Sequence, residues 1–408
     1  MKERLAFAIE YHSSKVPGNP PSSTETGGFS ALDTARLRAA LIAINRIPEV
    51  GAAKVRSLER AFGSLLHLRD HDVDLIAKRC KDLSPRQILD VLQAMESDWA
   101  EREEAHAQTK NVRILTWLDP EYPESLRQLT TAPLCLYCAG DVSLLKQAQV
   151  AIIGTRAASS YGKDQAQRFG LKLAAAGMHV TSGLAHGIDS AAHEGALLAG
   201  KDAPGKTIAV LGAALDCIYP ADQKPLAIKI VRSGGLVISE YPFGRHADAK
   251  TFPQRNRIVA ALAKGTLVIE TAARGGTLIT ANYALTFGRT LYALSGRVDV
   301  HSFDGNLNLL RSGEARLVRC PEDILEEFGE LVLREGRATP APEQPAIPLG
   351  LTPDEEKLYI ALGSDELTTD ELVTRTGLSS AAICVALVGL RFKRRVADRP
   401  GGRVRRRT

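Results

Sequence analysis

From residue 149 onward the hydrophobic positions fall into short unbroken runs separated by helical stretches. VAIIG at 150–154 precedes a helical pattern reaching Ala176, and MHVTSG at 178–183 precedes one reaching Ala199. TIAVLG, LVISE, TLVIE, TLYALSG and, near 318, ARLV continue the series. These runs do not alternate apolar with polar residues. They therefore predict strands buried on both faces, in a parallel sheet with helices on each side. The expected fold class is a doubly wound α/β domain over roughly 149–330.

The flanks read differently. Residues 1–30 hold a stretch rich in Ser, Pro, Gly and Thr, expected to be disordered. Residues 31–111 carry apolar positions such as Leu32 and then Leu37, Leu41 and Ile44, the last three at four- and three-residue spacing, and predict short helices. Extended pieces are expected around Pro120, Pro123 and Pro133. Pro340, Pro342, Pro345 and Pro348 mark 335–350 as a linker. Residues 351–408 then predict a helix, a helix–turn–helix capped at Thr368 or Thr369 and at Ser379 or Ser380, and a basic hairpin. Together these make a winged-helix pattern.

Charge sharpens the picture at one end. The net charge is +5, yet residues 391–408 alone carry +8, leaving −3 for the remainder. Such a local cluster favours a polyanionic partner, with a merely solvated tail as the alternative. The six cysteines are scattered through apolar contexts, which points to a reducing, cytoplasmic setting. No apolar run reaches 18 residues, so no membrane-spanning helix is expected.

Candidate chemistry sits in the turns after the strands. Gly154-Thr155-Arg156 ends the first run and leads to a helix N-terminus, where N–H groups can meet a phosphate. It lacks the dinucleotide fingerprint G-x-G-x-x-G, so no nucleotide cofactor is expected, and an ordinary tight turn stays open. Lys250-Thr251-Phe252-Pro253-Gln254-Arg255-Asn256-Arg257 interleaves an aromatic with cations. Phe252 can stack a base, Lys250, Arg255 and Arg257 can meet phosphates, and Asn256 can read a base edge or cap its own helix. Arg274-Gly275-Gly276-Thr277 forms a further anion nest opening a helix. Ser182–Asp189, with His186 and His193, reads as structural, with Asp189 or Ser190 capping the next helix and no metal set. Cys135-Leu136-Tyr137-Cys138 lacks a second pair and is expected to hold neither metal nor redox chemistry. Pro48–Val55 resembles the hairpin of helix–hairpin–helix modules, with a packing turn as the alternative.

AIIGTRAASSYG, VTSGLAHGIDSAAHEGAL, TIAVLGAALDCIYP, ISEYP, FPQRNRIVAAL, RGGTLITA and GNLNLLRSGE occur in this order. In that order and spacing the chain resembles the DprA/Smf family over nearly all of its length after residue 31. The resemblance implies an extended Rossmann-like domain over 112–334, a small helical N-terminal domain over 31–111 and a winged-helix domain over 351–408. It implies binding of single-stranded DNA during natural transformation, loading of a RecA-type recombinase, a homodimer, and neither cofactor nor catalysis. The pocket residues it implies are Thr155, Arg156 and Phe252, extending to Lys250, Arg255, Arg257 and Arg274. The chain departs from the family pattern at Ala157-Ala158, at Leu294-Ser295-Gly296 and at Gly275-Gly276-Thr277. Two alternatives remain. One is a nucleotide phosphoribohydrolase of the Lonely Guy type, although Thr280 stands where that family has a glutamate. The other is a regulator binding duplex DNA through its C-terminal domain.

Overall fold

The computed structural model describes residues 30–334, 351–362, 367–393, 395–399 and 403–406. The expected disordered segment before residue 30 and the 335–350 linker lie outside the described residues. Two units separate at about residue 339.

In the first unit, α1 (Ala31–Ile44), α2 (Ala52–Phe62), α3 (Val73–Arg79), α4 (Pro85–Glu96) and α5 (Trp99–Thr109) come first. Ser30, expected within the disordered stretch, instead caps α1, its side chain accepting from the Asp33 amide. Ser84 and Gln87 form a reciprocal capping box on α4. These helices are not a free-standing domain. One continuous core runs from Leu37 through the sheet to Leu309, and Asn45 donates to the Glu240 carbonyl at 2.9 Å. The Phe243 amide donates to Glu103 at 3.0 Å. The expected boundary at 111/112 is therefore a change of secondary structure, without a break in the core.

The sheet contains β1 (Arg113–Thr116), β2 (Cys135–Gly140), β3 (Gln149–Ile153), β4 (His179–Ser182), β5 (Thr207–Leu211), β6 (Leu236–Ser239), β7 (Gly265–Val268), β8 (Thr290–Leu294) and β9 (Arg316–Val318). Their order is β1-β2-β6-β5-β4-β3-β7-β8-β9. All neighbours from β6 to β9 are parallel, and β1–β2 and β2–β6 are antiparallel. The doubly wound expectation holds, with an antiparallel extension at one edge built from the Pro-flanked segment.

The intervening helices are α6 (Glu124–Arg127), α7 (Ser160–Ala175), α8 (Ile188–Leu198), α9 (Lys224–Arg232), α10 (Thr251–Leu262), α11 (Gly276–Thr286), α12 (Asp304–Arg311) and α13 (Pro321–Arg334). β3 shows why its run is apolar throughout. Val150 and Ile152 pack against α7 and α8, whereas Ala151 and Ile153 pack on the side of α10 and α11. Successive residues point to opposite faces, so burial of both faces removes the alternation. The strand order reverses between β3 and β7, and ligands of open α/β sheets bind at the carboxyl ends beside such a switch point.

The second unit holds α14 (Pro353–Leu362), β10 (Leu367–Thr368), α15 (Thr369–Thr376), α16 (Ser380–Phe392), β11 (Val396–Arg399) and β12 (Arg403–Arg406). Thr368 and Glu371 cap α15 reciprocally, Gly377 ends it in the left-handed region, and Ser379 caps α16. The strands pair β10-β12-β11 around a core of its own. This is the winged-helix arrangement expected from the pattern.

Candidate nucleic-acid interface

A cleft of about 400 Å³ opens at the carboxyl ends of β3, β4 and β7. Its walls include Gly154, Thr155, Arg156, Phe252, Arg274 and the Gly275–Thr277 turn. The first turn is held by backbone contacts. The Thr155 amide donates to the Glu270 carbonyl at 2.8 Å, and the Ile188 amide donates to the Thr155 carbonyl at 3.3 Å. Gly187, at φ +79°, lies so close that a methyl group there would overlap the carbonyls of Thr155 and Arg156. Arg156 is thereby projected outward. Its guanidinium carbon stands 4.9 Å from the centroid of the Phe252 ring. Tyr219 flanks the same ring, with centroids 5.6 Å apart and planes at 55°.

Opposite this pair, α11 begins at Gly276 with no side-chain cap. The turn is open, since nothing lies within 4 Å of a methyl placed on Gly275 or Gly276. Uncapped amides at a helix start carry positive potential and suit a phosphate oxygen. Arg274 is exposed beside them, and Asn256 donates toward the Gly276 carbonyl at 3.4 Å, steadying the turn. Arg156 and Arg274 have no carboxylate partner among the described residues.

The FPQRNR run divides in space. Because α10 starts at Thr251, Phe252, Arg255 and Asn256 share one helical face, and Lys250, Gln254 and Arg257 fall on the other. Lys250 and Arg257 border a separate groove of about 900 Å³ together with the 48–54 turn. Arg257 grips Glu240 through both carboxylate oxygens, at 2.9 and 2.6 Å, and also donates to the Thr131 carbonyl. Its guanidinium is thus already engaged within the protein. Arg255 is engaged within the protein too. It reaches the cleft wall but is only 4% exposed, and its Nη1 donates to the carbonyls of Gly183 and Val210. A side chain at Gly183 would overlap that guanidinium. Burial lowers the Arg255 pKa, opposed mainly by the charge of Asp189.

Asp189 does not cap α8, as its position suggested. Its carboxylate accepts from the amides of Gly183 and Ala185, at 3.1 and 3.4 Å, folding the loop back over β4. Burial raises its pKa, opposed first by Arg255 and then by these hydrogen bonds. His193 is buried in α8 with Nδ1 2.6 Å from the Thr207 hydroxyl. Glu270 is buried too, but turned from the cleft. It accepts from the Ser159 amide and hydroxyl, at 3.0 and 2.7 Å, at the start of α7.

Sequence reading missed Asn306. Its side chain accepts from the Thr271 amide at 2.8 Å and donates to the carbonyls of Val268, Ile269 and Leu294 at 3.0–3.1 Å. It thus ties the ends of β7 and β8 beneath the Arg274 turn. The only sequence signal was a polar residue between apolar neighbours in GNLNLL. Cys135 and Cys138 are both buried on β2, and burial pushes the Cys138 thiol up to about 12. Among the described residues no group of three or more His, Cys, Asp or Glu is placed to hold a metal ion. No single described helix is long and apolar enough to cross a membrane.

The profile of the family described as DNA recombination-mediator protein A matches residues 113–329, and that of the DprA winged helix domain matches 339–402. Protein Smf of Escherichia coli is 36% identical over 288 residues, covering 70% of this chain and 75% of that protein. DNA processing protein DprA of Streptococcus pneumoniae is 40% identical over 213 residues, covering 52% of this chain and 72% of that one. The crystal structure of the S. pneumoniae protein superposes with a TM-score of 0.58 at 32% identity, covering 72% of this chain and 96% of that chain. With sheet, cleft and winged helix in place, the chain belongs to the DprA/Smf family of DNA-processing proteins.

Proposed function

We propose that the cleft binds single-stranded DNA and that the chain acts by holding the strand, without catalysis. The observation carrying this reading is Arg156 over the ring of Phe252, facing the uncapped start of α11 across the switch point. An exposed strand offers both parts such a site needs. Its bases can stack on an aromatic face, and its phosphates can meet guanidinium and amide groups. A duplex hides its bases and would leave Phe252 without a stacking partner. Few groups here can read base edges, so the expected sequence preference is weak.

In this reading the bound strand is passed to a RecA-type recombinase, and the protein works as a homodimer. Family membership supports both. The phosphoribohydrolase reading is disfavoured by Glu270, whose carboxylate is engaged by Ser159 away from the cleft. A competition experiment tests the proposal. Labelled oligo-dT bound to the full chain is challenged with unlabelled single strand and with duplex of equal length. Displacement by the single strand at much lower concentration supports the proposal. Equal displacement by duplex rejects it.

A further inference from the structure

The winged-helix unit carries an apolar stripe where a DNA-reading winged helix would present its recognition face. On α16, Val385 is 74% exposed, Val388 62% and Phe392 90%. Ala381 and Cys384 are also exposed and complete the stripe at three- and four-residue spacing. The buried side of the same helix (Ile383, Leu387, Leu390) already fills the unit's own core. The stripe is therefore a second apolar face that this core does not use. Exposed apolar patches of this kind mark interaction sites.

Its chemistry argues against the major groove. Base edges are read by hydrogen-bonding side chains, and the middle of this face offers only Cys384, Val385 and Val388. The surrounding charge selects the partner. Arg391 and Arg395 bracket the stripe's C-terminal residue, Phe392, within the segment carrying +8, while Lys393 there is paired with Glu355. A second copy packed antiparallel would set these cations against the positive start of its neighbour's α16, which is unfavourable. A parallel copy would oppose cation to cation.

We propose that this face of α16 docks a protein segment that forms an amphipathic helix. That segment presents apolar residues at i, i+3 and i+7, flanked by carboxylates that meet the basic end. The mode is helix against helix, with the apolar anchors supplying affinity and the charges setting orientation. The DNA proposed for the first unit's cleft plays no part in it, so either reading can fail without the other.

The test uses the full chain and two labelled 20-residue helical peptides, with leucines at i, i+3 and i+7. One carries glutamates at the flanking positions and the other lysines. The expected result is saturable binding of the glutamate peptide and at least tenfold weaker binding of the lysine peptide. Val385→Ser and Phe392→Ser each weaken the glutamate peptide tenfold or more, with unchanged circular dichroism and unchanged oligo-dT affinity. Three results overturn the proposal. The peptides could bind alike, Val385→Ser could weaken duplex DNA binding while sparing the peptide, or it could convert a dimer to a monomer in light scattering.

Discussion

Arg156, in the turn after β3, and Phe252, at the start of α10, are nearly a hundred residues apart in sequence, yet the guanidinium lies 4.9 Å above the ring. The pairing contributes about 0.5–1 kcal/mol where solvent reaches it. Its larger consequence is positional. It fixes a cation beside an aromatic face at the rim of one cleft, ready for a phosphate and its neighbouring base. Gly187 and the Glu270 carbonyl clamp the Arg156 turn, and a methyl group on Gly212 would stand 3.2 Å from the Phe252 ring, so glycine there leaves the ring room to pack.

Arg255 is expected to act on stability. Arg255→Met leaves the Gly183 and Val210 carbonyls without their donor and removes the charge opposing buried Asp189. Unsatisfied buried groups cost about 1–3 kcal/mol each. Urea unfolding should show a loss of that order or more. An unchanged unfolding midpoint with weakened DNA binding would return Arg255 to the list of phosphate contacts.

Arg257→Ala strands Glu240 in a largely buried position. Breaking such a pair costs about 3–5 kcal/mol. The expected outcome is a lower melting temperature, with the salt dependence of oligo-dT binding unchanged below it. A salt slope reduced by about 0.7, the value for one phosphate on a single strand, would contradict this assignment.

His193 makes acid stability predictable. Thr207 donates its hydroxyl proton to the Val180 carbonyl, so Nδ1 of His193 must donate to Thr207, and Nε2 has no partner among the described residues. Burial, aided by the charge of Arg255, holds the imidazole down to about 3, from 6.5. The unfolded chain therefore binds the proton more readily across this window. Stability is retained above about pH 6.5 and falls as pH drops toward 3, by up to about 1.4 kcal/mol per pH unit. Asp189, shifted upward, acts in the opposite sense, since its protonation favours the fold. Comparing wild type with His193→Gln isolates the histidine. The variant's melting temperature should decline less between pH 7 and 4, and parallel declines would refute the linkage.

Asn306→Ala should loosen the Arg274 turn. The substitution leaves three carbonyls and the Thr271 amide without that side chain. Hydrogen exchange should quicken at residues 269–277, and oligo-dT affinity should fall although Asn306 is fully buried away from solvent. Unchanged exchange there would show that the turn holds itself.

The sheet was legible because burial on both faces writes unbroken apolar runs, as β3 shows. The cleft's turns were legible from Gly154 and from Gly275-Gly276, where side chains would intrude or close the nest. The division of the FPQRNR cations was not. Reading the run as a loop leading into a helix hid the periodicity that places Phe252 with Asn256 and sends Lys250 and Arg257 to the far side of α10. Asp189 and Asn306 escaped for another reason. Each bonds the backbone of a loop distant or reversed in sequence, and neither leaves a mark in local pattern. The N-terminal helices were legible as helices, but their shared core with the sheet depends on long-range pairs such as Asn45 with Glu240.

The central claim is that the strand sits on Arg156 and Phe252. Fluorescence anisotropy of labelled oligo-dT, with wild type, Arg156→Ala and Phe252→Ala at two salt concentrations, tests it most directly. The account predicts that Phe252→Ala costs about 1–3 kcal/mol of binding with little change in salt slope. It predicts that Arg156→Ala weakens binding and reduces the slope by about 0.7. Wild-type affinity in both variants would place the DNA elsewhere and contradict the account.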